Sequence, residues 1–294
     1  MTVPEQFFVA SVLRTWPLTP AMRRVVLGGP GLVGYRSTGV ADEWFRFLFP
    51  ATGLAPVALP RLVDGHWQLP SPEPLSRWYT VRHFDADRHE LTVDVVVHGH
   101  GRGTRWAVEA APGDQVVVSS PTGRRRTPAE SDWELVVADL TGLPAASRKI
   151  EQLPAGRRVR AILEVPNEEC MVPLDTDADL HVSWIFNPRP DVIPSALNLA
   201  TRSLELPPGR GYVWMAGEAA CSRDIRRYVR HELGWPSSSY DIVGYWRPDV
   251  EAYLRRYSAV EQQVAEIYEQ SQRDGRDLEE TADQVYAVME AHGL

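Results

Sequence analysis

Cysteine is scarce in this chain, with two among 294 residues, Cys170 and Cys221. That excludes a disulfide framework and an iron–sulfur cluster held by four cysteines of one chain. Excess positive charge is missing too. The formal charge of −8 argues against a nucleic-acid surface, which needs cations to displace counterions from phosphates. No apolar run approaches the length of a bilayer span, and the first residues lack the basic-then-apolar order of a secretory signal. The expectation is a cytoplasmic protein with reduced thiols and no membrane or nucleic-acid partner.

What is present is a chain long enough, at 44% hydrophobic content, to bury two cores. Up to about residue 120 it reads as short strands broken by proline and glycine, in keeping with an antiparallel barrel. The basic stretch Arg124-Arg125-Arg126-Thr127-Pro128 reads as a linker. Beyond it the pattern changes to strand, helix, strand. Glu134–Asp139, Arg158–Val165, His181–Phe186, Tyr212–Ala216 and Tyr240–Trp246 are strand candidates of a mostly parallel sheet, with a helix over Leu143–Leu153. The tail after Asp249 shows two amphipathic helices broken near Asp274-Gly275, whose apolar stripes must be buried: packing on the second domain or across a homodimer is the expectation, with substrate capture as the alternative. The expected units are 1–128, 129–248 and 249–294.

The richest segment is Arg77-Trp78-Tyr79-Thr80-Val81-Arg82. As a strand it places Arg77, Tyr79 and Val81 on one face and Trp78, Thr80 and Arg82 on the other. A guanidinium, aromatic rings and a hydroxyl so close together suit a flavin dinucleotide, which needs a cation for its pyrophosphate, a ring face and hydrogen-bond donors. An ordinary strand with a surface arginine is the competing reading. Residues 89–98 alternate as a strand that would form a hairpin with the first. Next comes Gly99-His100-Gly101-Arg102-Gly103-Thr104-Arg105-Trp106-Ala107, a glycine-rich turn opening into a helix from Thr104 to Ala111. Such a turn frees N–H groups at a helix N-terminus for phosphate, with Thr104 as a candidate cap. His98 and His100, one residue apart without a third ligand, make a poor metal site.

In an open parallel sheet, ligands sit beyond the carboxyl ends of the strands. Two loops there stand out: Asp139-Leu140-Thr141-Gly142-Leu143-Pro144, and Gly217-Glu218-Ala219, where glycine permits close backbone approach. A compact packing turn is the alternative for each. The following helix carries Arg223, Arg226, Arg227 and Arg230 away from its apolar stripe. A solvated face balanced by local acids competes there with phosphate contact, and Arg223, nearest the N-terminal end, is the nucleotide candidate. Cys221 is read as inert packing, or as mildly acidified by the helix dipole.

Several of these motifs, in this order, resemble the siderophore-interacting, FAD-binding ferric reductases related to ferredoxin–NADP reductases. The resemblance rests on Leu18 through Leu27, Arg77 through Arg82, Asp94 through Gly99, Gly101 through Ala107, Ala216-Gly217-Glu218-Ala219 and Gly244-Tyr245-Trp246-Arg247. It implies a six-stranded antiparallel flavin-binding β-barrel, then a Rossmann-like parallel-sheet nucleotide-binding domain, with the helical tail added. It implies FAD as cofactor, NAD(P)H as electron donor and a ferric siderophore as substrate, released as Fe(II). Arg77, Trp78, Tyr79, Thr80, Asp94, Val96, His98, Gly101, Gly103 and Thr104 would face the flavin. Thr141, Gly217, Glu218 and Arg223 would face the nucleotide, with Tyr245 and Trp246 at the domain interface. No catalytic acid or base and no metal ligand is assigned. Leu140 stands where the family carries an acidic residue, and Trp184-Ile185-Phe186-Asn187 where an arginine is common. These departures touch the nicotinamide half more than the flavin half. Two alternatives remain: a biosynthetic FAD enzyme acting on a small organic substrate with weak or no nicotinamide use, and a flavin-bearing interaction protein.

Overall fold

The computed structural model describes residues 5–49, 58–63, 66–99, 101–124, 127–190 and 192–294; His100, and Arg125 and Arg126 of the basic linker, lie outside the described residues. Among the described residues, nine strands and one α-helix make the first half: β1 (Phe7–Thr19), β2 (Met22–Gly28), β3 (Trp44–Phe49), β4 (Arg61–Val63), β5 (His66–Gln68), β6 (Leu75–Thr80), β7 (His83–Asp85), β8 (Glu90–Val96), α1 (Arg102–Glu109) and β9 (Gln115–Ser119). Seven of the strands form a sheet ordered β6-β3-β9-β1-β2-β8-β7, each pair antiparallel. The expected barrel is therefore a curled sheet of seven strands rather than six. Its two edges meet where the chain passes from β6 to β7, through Val81 N–H to the Glu43 carbonyl and Arg82 N–H to the Thr92 carbonyl, both 3.0 Å.

Inside the curl, the period-two pattern fills the core. Val25 and Leu27, Phe45, Phe47 and Phe49, Leu91, Val93 and Val95, and Val116 and Val118 all point inward and are buried. Trp106 of α1 plugs one end, its ring centroid 4.9 Å from Phe47 and 5.2 Å from Phe49. Each large side chain so buried contributes roughly 1.5–3 kcal/mol. The hairpin expected between residues 77–82 and 89–98 does not form. β6 pairs with β3, and β8 pairs with β2 and β7. Alternation fixes which face a strand buries, not which strand it pairs with.

The second half is β10 (Trp133–Ala138), α2 (Leu143–Glu151), β11 (Arg158–Val165), β12 (Asp179–Phe186), α3 (Leu197–Ser203), β13 (Gly211–Glu218), α4 (Ala219–Arg227) and β14 (Tyr240–Trp246). Its sheet is wholly parallel, in the order β12-β11-β10-β13-β14. Apolar clusters lie on both faces, one under α2 and one under α3 and α4, which explains the near-continuous apolar run of β10. The strand order reverses between β10 and β13.

Met22 of β2 is buried in the cluster under α2, and polar contacts add to this junction of the halves. Trp214 Nε1 donates to Asp42 at 2.9 Å. Buried Arg148 of α2 donates to the Val81 carbonyl at 2.5 Å and pairs with buried Glu43 at 2.9 Å. Arg82 reaches Glu151 at 2.5 Å and Asp94 at 3.5 Å.

The tail has three helices rather than two: α5 (Val250–Tyr257), α6 (Glu261–Asp274) and α7 (Leu278–Ala291). Gly275, at φ 63°, ends α6 in the left-handed conformation that glycine tolerates. Val260, Val264, Val285 and Met289 form a small core of their own. The tail packs on the arginine face of α4. Arg226 pairs with Glu279 at 2.7 Å and Asp283 at 2.6 Å, Arg230 with Asp283 at 2.7 Å, and Arg227 with Glu290. Acids of the chain itself thus cover most of that cationic face. No described helix is long and apolar enough to cross a membrane.

Candidate functional site

A cleft of about 530 Å³ opens between the two halves, walled by β6, the end of β8 and the α1 turn on one side, and by β14 and the Thr141–Pro144 turn on the other. Arg77, Trp78, Tyr79, Thr80, Asp94, Val96, His98, Gly101, Gly103, Thr104, Thr141, Tyr245 and Trp246 all line it. Gly217, Glu218 and Arg223 do not. Sequence reasoning missed Trp44, Arg102, Arg124, Val243 and Gly244 as lining residues. Trp44 comes with Thr80, its partner in the β3–β6 register, and that pairing was not legible. Arg124 was read as linker, yet it spans the halves by pairing with buried Asp241 at 2.8 Å.

One end of the cleft is built for anions. Gly101 is the N-cap of α1 and carries no side chain to satisfy the first-turn N–H groups. Among the described residues, no side chain accepts from the Gly103 or Thr104 N–H. Thr104 does not cap the helix as expected; its hydroxyl donates to the His98 carbonyl at 3.0 Å and fastens the turn to the end of β8. Gly103 leaves room for a close approach. A Cβ there would stand 3.0 Å from the Tyr79 hydroxyl and 3.7 Å from Phe49. Arg77, exposed on β6, and Arg102 and Arg124 bring cations to the same cleft.

Beyond that turn the walls are aromatic. Tyr79 packs edge-on against Phe47 and Phe49, and burial pushes its phenol up to about 12, so the ring stays neutral. Trp78 is half exposed, with the Arg46 guanidinium 5.0 Å from its ring centre. From the second half, burial raises the Tyr245 phenol, which lines the same wall as Thr80. Trp246 is fixed by its indole N–H, which donates to Asp139 at 2.6 Å. Asp94 lines the wall, but Arg24 holds both its oxygens at 2.6 Å and Arg82 lies beside it. Its charge is thus balanced within the wall by two guanidinium groups.

At the switch point of the parallel sheet the arrangement differs. Asp139 accepts from Thr141 N–H at 2.8 Å, the Thr141 hydroxyl at 2.7 Å and Gly142 N–H at 3.3 Å. Burial raises this carboxyl above its ordinary value, against those hydrogen bonds. Glu218 caps α4, accepting from Ala220 N–H and Cys221 N–H, both at 2.8 Å. Arg223 follows in α4 and makes no ion pair among the described residues. Cys221 is not acidified by the helix: burial pushes its thiol up to about 12, and Glu218 and Glu164 push the same way.

An uncapped helix start with nearby arginines, a glycine cradle and flanking aromatic rings fits a flavin dinucleotide, pyrophosphate at α1 and ring toward Tyr79 and Trp246. Comparison with known proteins agrees. Residues 11–125 match the siderophore-interacting FAD-binding domain and residues 131–249 the siderophore-interacting protein family. A siderophore utilization protein from T. fusca is 35% identical with a TM-score of 0.74, covering 85% of this chain and 95% of that one. The NADPH-dependent ferric-chelate reductase of Escherichia coli is 28% identical over 82% of this chain and 93% of its own length. A ferredoxin NADP+ reductase from Neisseria gonorrhoeae, solved with bound FAD and NADP, shares the fold at 13% identity and a TM-score of 0.57, over 82% of this chain and 99% of that one. With both halves matched and the cleft between them formed from both, the chain belongs to the siderophore-interacting protein family and carries its FAD-binding domain.

Proposed function

We propose that this protein is an oxidoreductase that takes electrons from NAD(P)H through FAD and delivers them to a ferric siderophore, releasing Fe(II). The observation that carries this reading is the cleft, cationic at α1 and aromatic toward β14, in a chain whose Escherichia coli relative is named a ferric-chelate reductase. Bound FAD would supply the switch between one hydride and two single electrons, so each nicotinamide oxidised reduces two ferric ions.

The chain's own residues then have positioning to do. Arg77 and the N–H groups of Gly103 and Thr104 hold the pyrophosphate. Tyr79, with Thr80 and His98 beside it, walls the ring. Trp246, locked to Asp139, and Tyr245 close the opposite side and exclude water from the ring face. No side chain has to donate or remove a proton at the metal, because reduction itself weakens the chelate. The units 1–128, 129–248 and 249–294 correspond in this reading to cofactor binding, donor approach and a packed accessory tail.

Anaerobic stopped-flow mixing tests this directly. The oxidised holoprotein should lose its flavin absorbance on mixing with NADH or NADPH and regain it on addition of ferric chelate, with two irons reduced per flavin. Bleaching without reoxidation by ferric chelate would move the protein to a different substrate class; no bleaching with either nucleotide would remove the nicotinamide step.

A further inference from the structure

In a doubly wound sheet the place for a dinucleotide's phosphates is the crevice at the strand-order switch, where helix N-termini offer N–H donors. Here that crevice lies between the ends of β10 and β13. One of the two helix starts beside it is occupied by a carboxylate of the chain itself: Glu218, ending β13, takes the Ala220 and Cys221 N–H groups in the first turn of α4. Asp139, directly after β10, takes the Thr141 and Gly142 N–H groups of the turn that precedes α2. A third carboxylate completes the edge: Glu164 of β11 accepts from Ala196 N–H at 2.9 Å, ahead of α3.

Glu218 does not itself line the cleft but sits one strand from its wall. Glu218 pairs in register with Trp246, and Gly244 packs so tightly on α4 that a Cβ there would come 2.9 Å from Ala219 Cα. Gly244, Trp246, Thr141 and Pro144 all line the cleft wall. Burial is the main reason the Cys221 thiol is raised, and the Glu218 and Glu164 carboxylates add to it.

We propose that Glu218 is a specificity-determining residue for the electron donor, working against phosphate. Its carboxylate consumes the N–H groups that would bind a pyrophosphate and puts negative charge in their place. The nicotinamide donor is then held by its ring at the aromatic wall, with its phosphates weakly bound. This rests on the nicotinamide step proposed above, and it can be tested apart from it.

The probe is ADP-ribose, which carries the pyrophosphate but no reducible ring, titrated by calorimetry into the FAD-loaded protein. Glu218→Ser keeps an N-cap oxygen and removes the charge; Glu218→Gln keeps the length and an accepting oxygen. Both variants should bind ADP-ribose at least roughly tenfold tighter than the wild type. The KM for NADH should fall in step, with kcat and the KM for ferric chelate unchanged. Unchanged or weaker ADP-ribose binding in variants that melt like the wild type would overturn the proposal, even if the wild type is reduced by NADH. Tighter ADP-ribose binding in a protein that neither nucleotide reduces would leave the proposal standing and remove the nicotinamide step instead.

Discussion

Helix α1 begins at Gly101, with Arg102 in its first turn and Arg77 and Arg124 lining the same cleft, while α4 begins at Glu218 with that residue's carboxylate folded onto its own first turn. The α1 start lines the cleft and the α4 start lies one strand away from it, beside Trp246, and the backbone N–H groups they offer are chemically the same. What separates them is the side chain at the cap. Glycine leaves the donors for a ligand, and glutamate spends them on the protein. The comparison teaches that a strand-to-helix turn at the expected edge of a sheet is not by itself a phosphate site.

The comparison depends on the two halves being pinned together, and the largest expected effect comes from releasing them. Arg148→Met leaves Glu43, 0% exposed, without its cation, and should cost about 3–5 kcal/mol in urea unfolding. If FAD still binds to the unpinned variant, the cradle belongs to the first half alone.

Next comes the cradle. Gly103→Val pushes a branched side chain against the Tyr79 hydroxyl and Phe49. FAD affinity, followed by fluorescence quenching, should fall about a hundredfold, near 2.7 kcal/mol, while ADP-ribose binding stays as it was. Equal losses for both ligands would erase the distinction between the two helix starts.

Trp246→Phe acts on the opposite wall. It removes the donor to Asp139 and leaves a buried acceptor unpaired, at a cost of about 1–2 kcal/mol. FAD content should persist, and the flavin absorbance band should shift as the ring loses a fixed neighbour.

The smallest effect lies outside the cleft. Burial opposes ionisation of Asp283, but hydrogen bonds from Arg226 and Arg230 hold its carboxyl below the ordinary value of 3.8. A carboxyl with a depressed folded value stabilises docking above its unfolded value, and that contribution is lost as pH falls through the folded one. Hydrogen exchange of α7 should therefore rise as pH drops below about 4, and Asp283→Asn should flatten that dependence, at a cost under about 1 kcal/mol near neutrality.

Much of this was legible in the sequence, and the gaps have definable causes. The strands at Arg158–Val165 and Tyr240–Trp246 stand at the bounds their apolar runs indicate. Arg77 through Thr80 and the Gly101–Thr104 turn reach one cleft because their motifs are local. The pairing of β6 was not legible, since β3 and β8 offer equally apolar partners and the choice is made by closure of the sheet. Nor was Glu218 as a cap, because glutamate is not among the favoured N-cap residues and its reach back onto Ala220 and Cys221 is a matter of side-chain conformation. The arginines of α4 showed an unbalanced charge, but the acids that balance it lie some fifty to sixty residues away in α7.

The central claim is that the α1 turn with Arg77 grips a pyrophosphate, so the cofactor is held by its dinucleotide and not by its ring alone. Comparing the affinities of the apoprotein for FAD and for riboflavin, at the same salt concentration, tests it most directly. FAD is expected to bind at least about a hundredfold tighter, an advantage that shrinks in Arg77→Ala; equal affinities, or no uptake of FAD at all, would contradict it.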